Sequence, residues 1–206
     1  MIAIVDYGLG NVKAFLNIYK HLSIHAYSAK NAEELLGASK IILPGVGSFD
    51  FAMTQLNKSG MLEALNSSVL LRKIPVLGVC VGMQMMAQSS EEGSLPGLGW
   101  IEGKVKKLRG SGIVNNEVFL LPHMGWNQIH SNFSHRILTG LLEFSKFYFL
   151  HSYYLDCVNK ENELAFANYG QKMCAIVTQS NIFGIQCHPE KSHKFGIQFL
   201  KNFAEL

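Results

Sequence analysis

Apolar and polar positions follow two different styles along this chain, and the change falls near Glu91. Met1 to Val5 is a short continuous apolar run, the pattern of a strand buried on both faces of a parallel sheet. After the glycine loop Asp6-Tyr7-Gly8-Leu9-Gly10-Asn11, residues Val12, Phe15, Leu16, Tyr19 and Leu22 fall at helical spacing. Lys13, Asn17 and Lys20 lie opposite them, which predicts an amphipathic helix. The unit then repeats. Lys40 to Leu43 runs into Pro44-Gly45-Val46-Gly47, and a helical segment from Phe49 to Val69 follows, broken near Ser59-Gly60. Pro75 to Val79 is a third strand, leading into a helix from Gly82. Alternating strands and helices predict a doubly wound parallel sheet, whose sites lie at the carboxyl ends of its strands. All three glycine-rich loops fall at such ends.

From Glu91 onward short β-like pieces separated by polar turns take over: 100–108, 118–121, 146–150, 164–168, 174–179 and 182–187. A last helix from His193 to Phe203 carries Phe195, Phe199 and Phe203 on one face. The expected fold is a mixed, mostly parallel α/β sheet flanked by helices, with antiparallel additions in the second half.

A chain of 206 residues, 48% hydrophobic and 16% charged, suits one well-buried domain spanning 1–206. The net charge of +3 is scattered, and the densest basic stretch, Lys104 to Arg109, alternates with apolar residues. That is the solvated face of a strand, so no nucleic-acid partner is expected. The N-terminus has neither a basic leader nor a long apolar run, which points to the cytoplasm and away from membranes. Cysteines at 80, 157, 174 and 187 form no CxxC pair, and no histidines cluster at ligand spacing, so neither zinc nor structural disulfides are expected. A nucleotide cofactor is not expected either. The position of the third glycine in GxGxxG holds Lys13, and no GxxxxGK[ST] occurs.

The chemistry is concentrated in Gly78-Val79-Cys80-Val81-Gly82. A sharp turn between strand and helix holds its central residue in a strained conformation and leaves no room for a β-carbon two positions either side. Cys80 is therefore expected at the tip, offered to solvent, where the positive end of the helix favours a thiolate. Its base is sought among eight histidines. His188 sits at the end of a strand, and in an extended segment Glu190 lies on the same face, able to accept the second ring N–H. Cys80, His188 and Glu190 thus read as nucleophile, base and orienter. His123 and His151 are rivals for the base, but neither has a carboxylate within two residues. Donors for a developing oxyanion are expected from the Val81 N–H and from Pro44-Gly45-Val46-Gly47.

GVCVGMQ, ILPGVGSFDFAM and IQCHPEKS together resemble the triad-type, class I glutamine amidotransferases. DYGLGN, PGVGSF, SSEEG, GLGW, PHMGWN, FYFLHSYY and HPEKS are similar to the glutaminase subunits of imidazole glycerol phosphate synthases, in the same order. The resemblance implies a flavodoxin-like fold, no cofactor and L-glutamine as substrate. It further implies Gln84 as a substrate-binding glutamine and Glu92 as the acidic residue near the substrate's α-amino group. Gly47, Ser152 and Tyr153 match positions lining the glutamine pocket. Ammonia loses its nucleophilicity once protonated in neutral water, so an acceptor enzyme must dock directly. The resemblance implies a (β/α)8-barrel cyclase partner, faced by Asn11, Trp126, Tyr148 and Lys191. Cys187 departs from the aromatic residue more usual before His-Pro-Glu. Three other readings stand beside this one: a paralogous glutaminase feeding a sugar amidotransferase of surface polysaccharide synthesis, a stand-alone cysteine hydrolase or protease, and a non-catalytic binding module.

Overall fold

The computed structural model describes residues 1–109, 112–114, 117–131, 133–141 and 144–206. The first half alternates as β1 (Ile2–Val5), α1 (Val12–His21), β2 (Ala26–Ala29), α2 (Ala32–Leu36) and β3 (Lys40–Gly45). It continues with α3 (Phe49–Lys58), α4 (Leu62–Asn66), a π turn at Ser67–Leu71, β4 (Val76–Cys80) and α5 (Val81–Gln84). Helix 49–69 is thus interrupted where Ser59-Gly60 predicts it, and Gly60 takes a positive φ of 72°.

The second half supplies β5 (Ser89–Ser90), β6 (Gly103–Lys107), β7 (Gly112–Val114), β8 (Glu117–Phe119), β9 (His123–Gln128), β10 (Lys146–His151) and β11 (Tyr153–Cys157). Then come β12 (Glu163–Asn168), β13 (Lys172–Gln179), β14 (Ile182–Ile185), a 3₁₀ turn at Pro189–Lys191 and α6 (His193–Glu205).

Seven strands form the main sheet in the order β12-β13-β14-β4-β3-β1-β2. β14, β4, β3, β1 and β2 run parallel, whereas β12, β13 and β14 pair antiparallel. The central strands are apolar throughout because helices cover both their faces; every residue of β1 and β4 is buried. Helices α1 and α6 pack together, joined by a hydrogen bond from the Tyr19 hydroxyl to the Leu200 carbonyl at 3.1 Å. On α6, Phe199, Leu200 and Phe203 are fully buried, each contributing about 2 kcal/mol by leaving water.

Outside this sheet, β9 and β10 form a two-stranded antiparallel ribbon. β11 pairs with β6, whose Lys104 and Lys106 reach water while Val105 is buried between them. Lys106 pairs with Asp156 at 2.7 Å, so the basic stretch is the solvated strand face that its alternation predicts. Among the described residues, no helix is long and apolar enough to cross a membrane.

Candidate active site

β3 and β4 lie side by side in parallel register, with Gly45 opposite Cys80. At Cys80 the chain turns from strand to helix with φ 55° and ψ −114°, a conformation that costs a non-glycine residue about 1–3 kcal/mol. The flanking glycines are sterically required. A β-carbon on Gly78 would stand 2.6 Å from the Gly82 oxygen, and one on Gly82 would stand 2.0 Å from the Leu43 oxygen. The elbow is therefore as the spacing predicts, although its helix α5 is only a single turn.

Cys80 itself is not offered to solvent. It is 3% exposed, with the end of β10 and the segment that follows β14 packed against it. The Leu150 carbonyl lies 4.0 Å from its sulfur and the Gln186 side-chain nitrogen 3.9 Å. The thiol opens instead into a cavity of about 330 Å³, within the range of small-molecule sites.

His188 reaches this cavity because β14 runs parallel to β4, with Ile185 opposite Val79, three residues before the histidine. Its backbone is fixed: His188 N–H donates to the Tyr148 carbonyl at 2.9 Å, and the Ser192 hydroxyl donates to the His188 carbonyl at 2.6 Å. His188 Nδ1 and Glu190 Oε1 are 2.8 Å apart, and both side chains are buried. The extended geometry expected between them is corrected. Glu190 lies in the 3₁₀ turn at Pro189–Lys191, which folds its carboxylate back to the ring. Burial by itself lowers the pKa of His188, but hydrogen bonds and charge interactions with Cys80 and Glu190 outweigh it and hold the imidazole at about 10. At neutral pH it is an imidazolium between two groups that it can pair with.

The structure brings Gly47, Cys80, Val81, Gln84, Glu92, Ser152, Tyr153, His188 and Lys191 to the wall of the same cavity. Gln84 is buried, and its amide donates to the Tyr153 carbonyl at 2.9 Å and to the Gln186 side chain at 3.1 Å. Glu92 accepts from the Phe49 N–H at 2.8 Å, so it caps the first turn of α3. The Pro44–Gly47 loop is held from below by the Tyr7 hydroxyl, which donates to the Pro44 carbonyl at 2.7 Å. Gly10 abuts the same proline, and the adjoining Asn11 caps α1 through Ala14 at 3.2 Å.

The remaining residues expected to face a partner form a patch beside the cavity. Trp126 is 47% exposed and stacks on His193 with ring centroids 5.1 Å apart. Tyr148 meets Trp126 edge-on at 6.0 Å, and Lys191 Nζ lies 5.8 Å from the Tyr148 ring. Met124 and Leu150 are exposed alongside them.

Sequence reasoning missed Gln186, whose signal was its position two residues before His188, and the place of His151 on the cavity wall. Cys187 is fully buried, and burial together with nearby Glu190 and Cys80 pushes its thiol well above the ordinary range. A larger cavity of about 460 Å³ lies near Ile129, Leu138 and Phe166. There Ser131 donates to the Leu164 carbonyl and His135 accepts from the Ile137 N–H.

Residues 3–206 match the family model described as glutamine amidotransferase class-I. The chain is similar to imidazole glycerol phosphate synthase subunit HisH of Bdellovibrio bacteriovorus, 54% identical over 206 residues and covering 100% of both chains. It is 49% identical to the subunit of the same name from Leptospira interrogans, again over 100% of both. Among solved structures, a glutamine amidotransferase shares the fold, with a TM-score of 0.74 at 18% identity over 100% of this chain and 99% of that one. An elbow cysteine beside a histidine and a carboxylate, on this sheet and with these relatives, makes the chain a member of the class I glutamine amidotransferase family.

Proposed function

We propose that this chain is the glutaminase subunit of an imidazole glycerol phosphate synthase, releasing ammonia from L-glutamine with Cys80, His188 and Glu190 as its triad. Full-length identity to two synthase subunits supports the pathway. The chemistry rests above all on one observation: a thiol on a strained elbow stands in the same cavity as an imidazole whose far nitrogen is 2.8 Å from a buried carboxylate.

The Cys80 thiolate attacks the side-chain amide carbon, and the carbonyl electrons move to oxygen. Val81 and the Val46-Gly47 segment line the cavity, and their backbone N–H groups are the donors that stabilise that oxyanion. His188 gives its proton to the amide nitrogen, the C–N bond breaks and ammonia leaves, with a thioester remaining on Cys80. The now neutral imidazole takes a proton from water, whose oxygen attacks the thioester. Glutamate departs, and thiolate and imidazolium are restored. Glu190 keeps the ring oriented and offsets its charge in both halves. Glu92 supplies the carboxylate for the substrate's ammonium.

The partner is a (β/α)8-barrel cyclase that takes the ammonia without its entering bulk water. The exposed Met124, Trp126 and Leu150, with half-buried Tyr148 between them and Lys191 beside it, suit such docking, since apolar groups of this size rarely stand together on a surface without a role. A glutaminase assay of the purified chain, alone and with the co-purifying barrel protein, tests this. The expected result is low activity alone, a large rise with the barrel protein, and loss of both in Cys80→Ala. Activity that is high alone and indifferent to the barrel protein would assign the chain to stand-alone hydrolysis. Activity that survives in Cys80→Ala would remove the triad.

A further inference from the structure

The β9-β10 ribbon has two unlike faces. Met124 and Trp126 pair across the strands with Leu150 and Tyr148 on the outer face, which is exposed. On the inner face His123 stands opposite His151, and both are buried. Their rings meet directly: His123 Nδ1 and His151 Nε2 are 3.1 Å apart. His151 Nδ1 lies 2.8 Å from the Tyr153 carbonyl, and Asn127 Nδ2 lies 3.3 Å from His123 Nε2.

These contacts fix every proton. The Tyr153 carbonyl can only accept, so His151 carries its hydrogen on Nδ1 and its Nε2 must accept. His123 therefore donates from Nδ1, and its Nε2 accepts from the Asn127 amide. Asn127 is oriented in turn by donating to the Asn168 carbonyl at 2.8 Å. Hydrogen bonds thus run one way, from Asn127 through His123 and His151 to the carbonyl of Tyr153. That carbonyl is the one that Gln84 also holds. His151, Ser152 and Tyr153 form one wall of the cavity, so the chain ends on it. Burial drives the pKa of His123 down to about 4 and that of His151 to about 3, which keeps both rings neutral and the direction unambiguous. Stacking of His123 between Phe149 and Tyr169 holds its plane.

We propose that His123 is a positioning residue for glutamine binding: its Nδ1–H, donated to His151, sets the 151–153 wall from the inner face of the same strand whose outer face meets the partner. This rests on the glutaminase reading of the cavity, but its first test does not.

In nitrogen-15 NMR of the free chain at neutral pH, both rings should show the Nδ1–H tautomer, whereas an unconstrained imidazole favours Nε2–H. An Nε2–H signal from either ring overturns the proposal. The second test is kinetic, with the barrel protein present. His123→Phe keeps the stacked ring and removes the donor, and should raise the KM for glutamine about tenfold, the effect of one buried neutral hydrogen bond, with kcat changed less than about threefold. His123→Asn puts an amide donor where Nδ1 was and should restore KM to within about threefold of the parent. Equal KM values for the Phe and Asn variants, or a loss of kcat with KM unchanged, overturn it. If Cys80→Ala stays active while the tautomers are as stated, the glutaminase reading fails and the hydrogen-bond chain stands.

Discussion

Gly45 and Gly82 touch backbone to backbone: a β-carbon on Gly45 would lie 2.3 Å from the Gly82 nitrogen. This contact seats the end of β3 against the elbow, so the Pro44–Gly47 loop and Cys80 share one rigid joint. The atoms met are main chain and cannot swing aside as a flexible side chain would.

Gly82→Ala should therefore lower stability by about 3 kcal/mol, the upper part of the usual range for overpacking, and Gly45→Ala should do the same. Gly37→Ala is the control. Its φ is −86° and nothing lies within 4 Å of the added carbon, so stability should stay within about 0.5 kcal/mol of the parent. Urea denaturation of the three variants decides the matter, and an elbow variant as stable as the control would sink it.

His188 predicts a loss of stability on the alkaline side. Its folded pKa is raised to about 10 from an ordinary 6.5, so the contribution is fully present below pH 6.5 and disappears as pH rises through 10. The size is on the order of 5 kcal/mol for a mostly buried group. Cys80 is one of the two groups that raise it, so Cys80→Ala should shrink the difference in stability between pH 7 and pH 10.5. Lysines and the other tyrosines titrate alike in both proteins and cancel in the comparison, while Tyr7, which Cys80 also pushes up, is held well above the ordinary tyrosine range chiefly by burial. Identical alkaline losses in parent and variant would show that the sulfur does not interact with the imidazole.

Glu190→Gln tests the orienter. A glutamine fills the same turn but carries no charge, and it can present its amide nitrogen to His188 Nδ1, which favours the wrong tautomer. Glutaminase kcat should fall by about 10⁴, the loss seen when the third member of a triad loses its charge. The folded structure should survive, since the 3₁₀ turn is held by backbone bonds from Lys191 to His188 and from Ser192 to Pro189. A well-folded variant with unchanged kcat would remove Glu190 from the mechanism.

The central strands, the elbow and His188 were legible because each follows a local rule: apolar runs for buried parallel strands, glycines where a β-carbon cannot fit. β2 was not, because as an edge strand it has one neighbour, and Ala26-Tyr27-Ser28-Ala29 need not be an apolar run. α2, five residues long, is too short to show a period. β9 inverts the usual alternation. Its inward residues His123 and Asn127 serve hydrogen bonds, whereas apolar Met124 and Trp126 face outward, so hydropathy hid the strand. The burial of Cys80 was illegible for a related reason: the roof comes from Leu150 and Gln186, far along the chain.

Glu92 and Asp50 predict a binding effect from a residue outside the cavity wall. Each of two segments offers a carboxylate to the other's backbone. Glu92 accepts from Phe49 N–H, while Asp50 accepts from Ser94 N–H at 2.9 Å and Leu95 N–H at 3.0 Å. Those two amides, Ser94 first, hold the Asp50 carboxyl below the usual carboxylate range. Gly93 permits the approach, since a β-carbon there would collide with the Asp50 carboxylate. The clamp fixes where the Glu92 carboxylate sits relative to the Val46-Gly47 loop. Asp50→Ala should release the 92–95 loop and raise the KM for glutamine about tenfold, while kcat stays within about threefold, because the triad is untouched. Asp50→Asn keeps one acceptor of the two and should fall between. Steady-state kinetics on the assembled enzyme check both, and an alanine variant with the parent's KM would mean that Glu92 holds its place without the clamp.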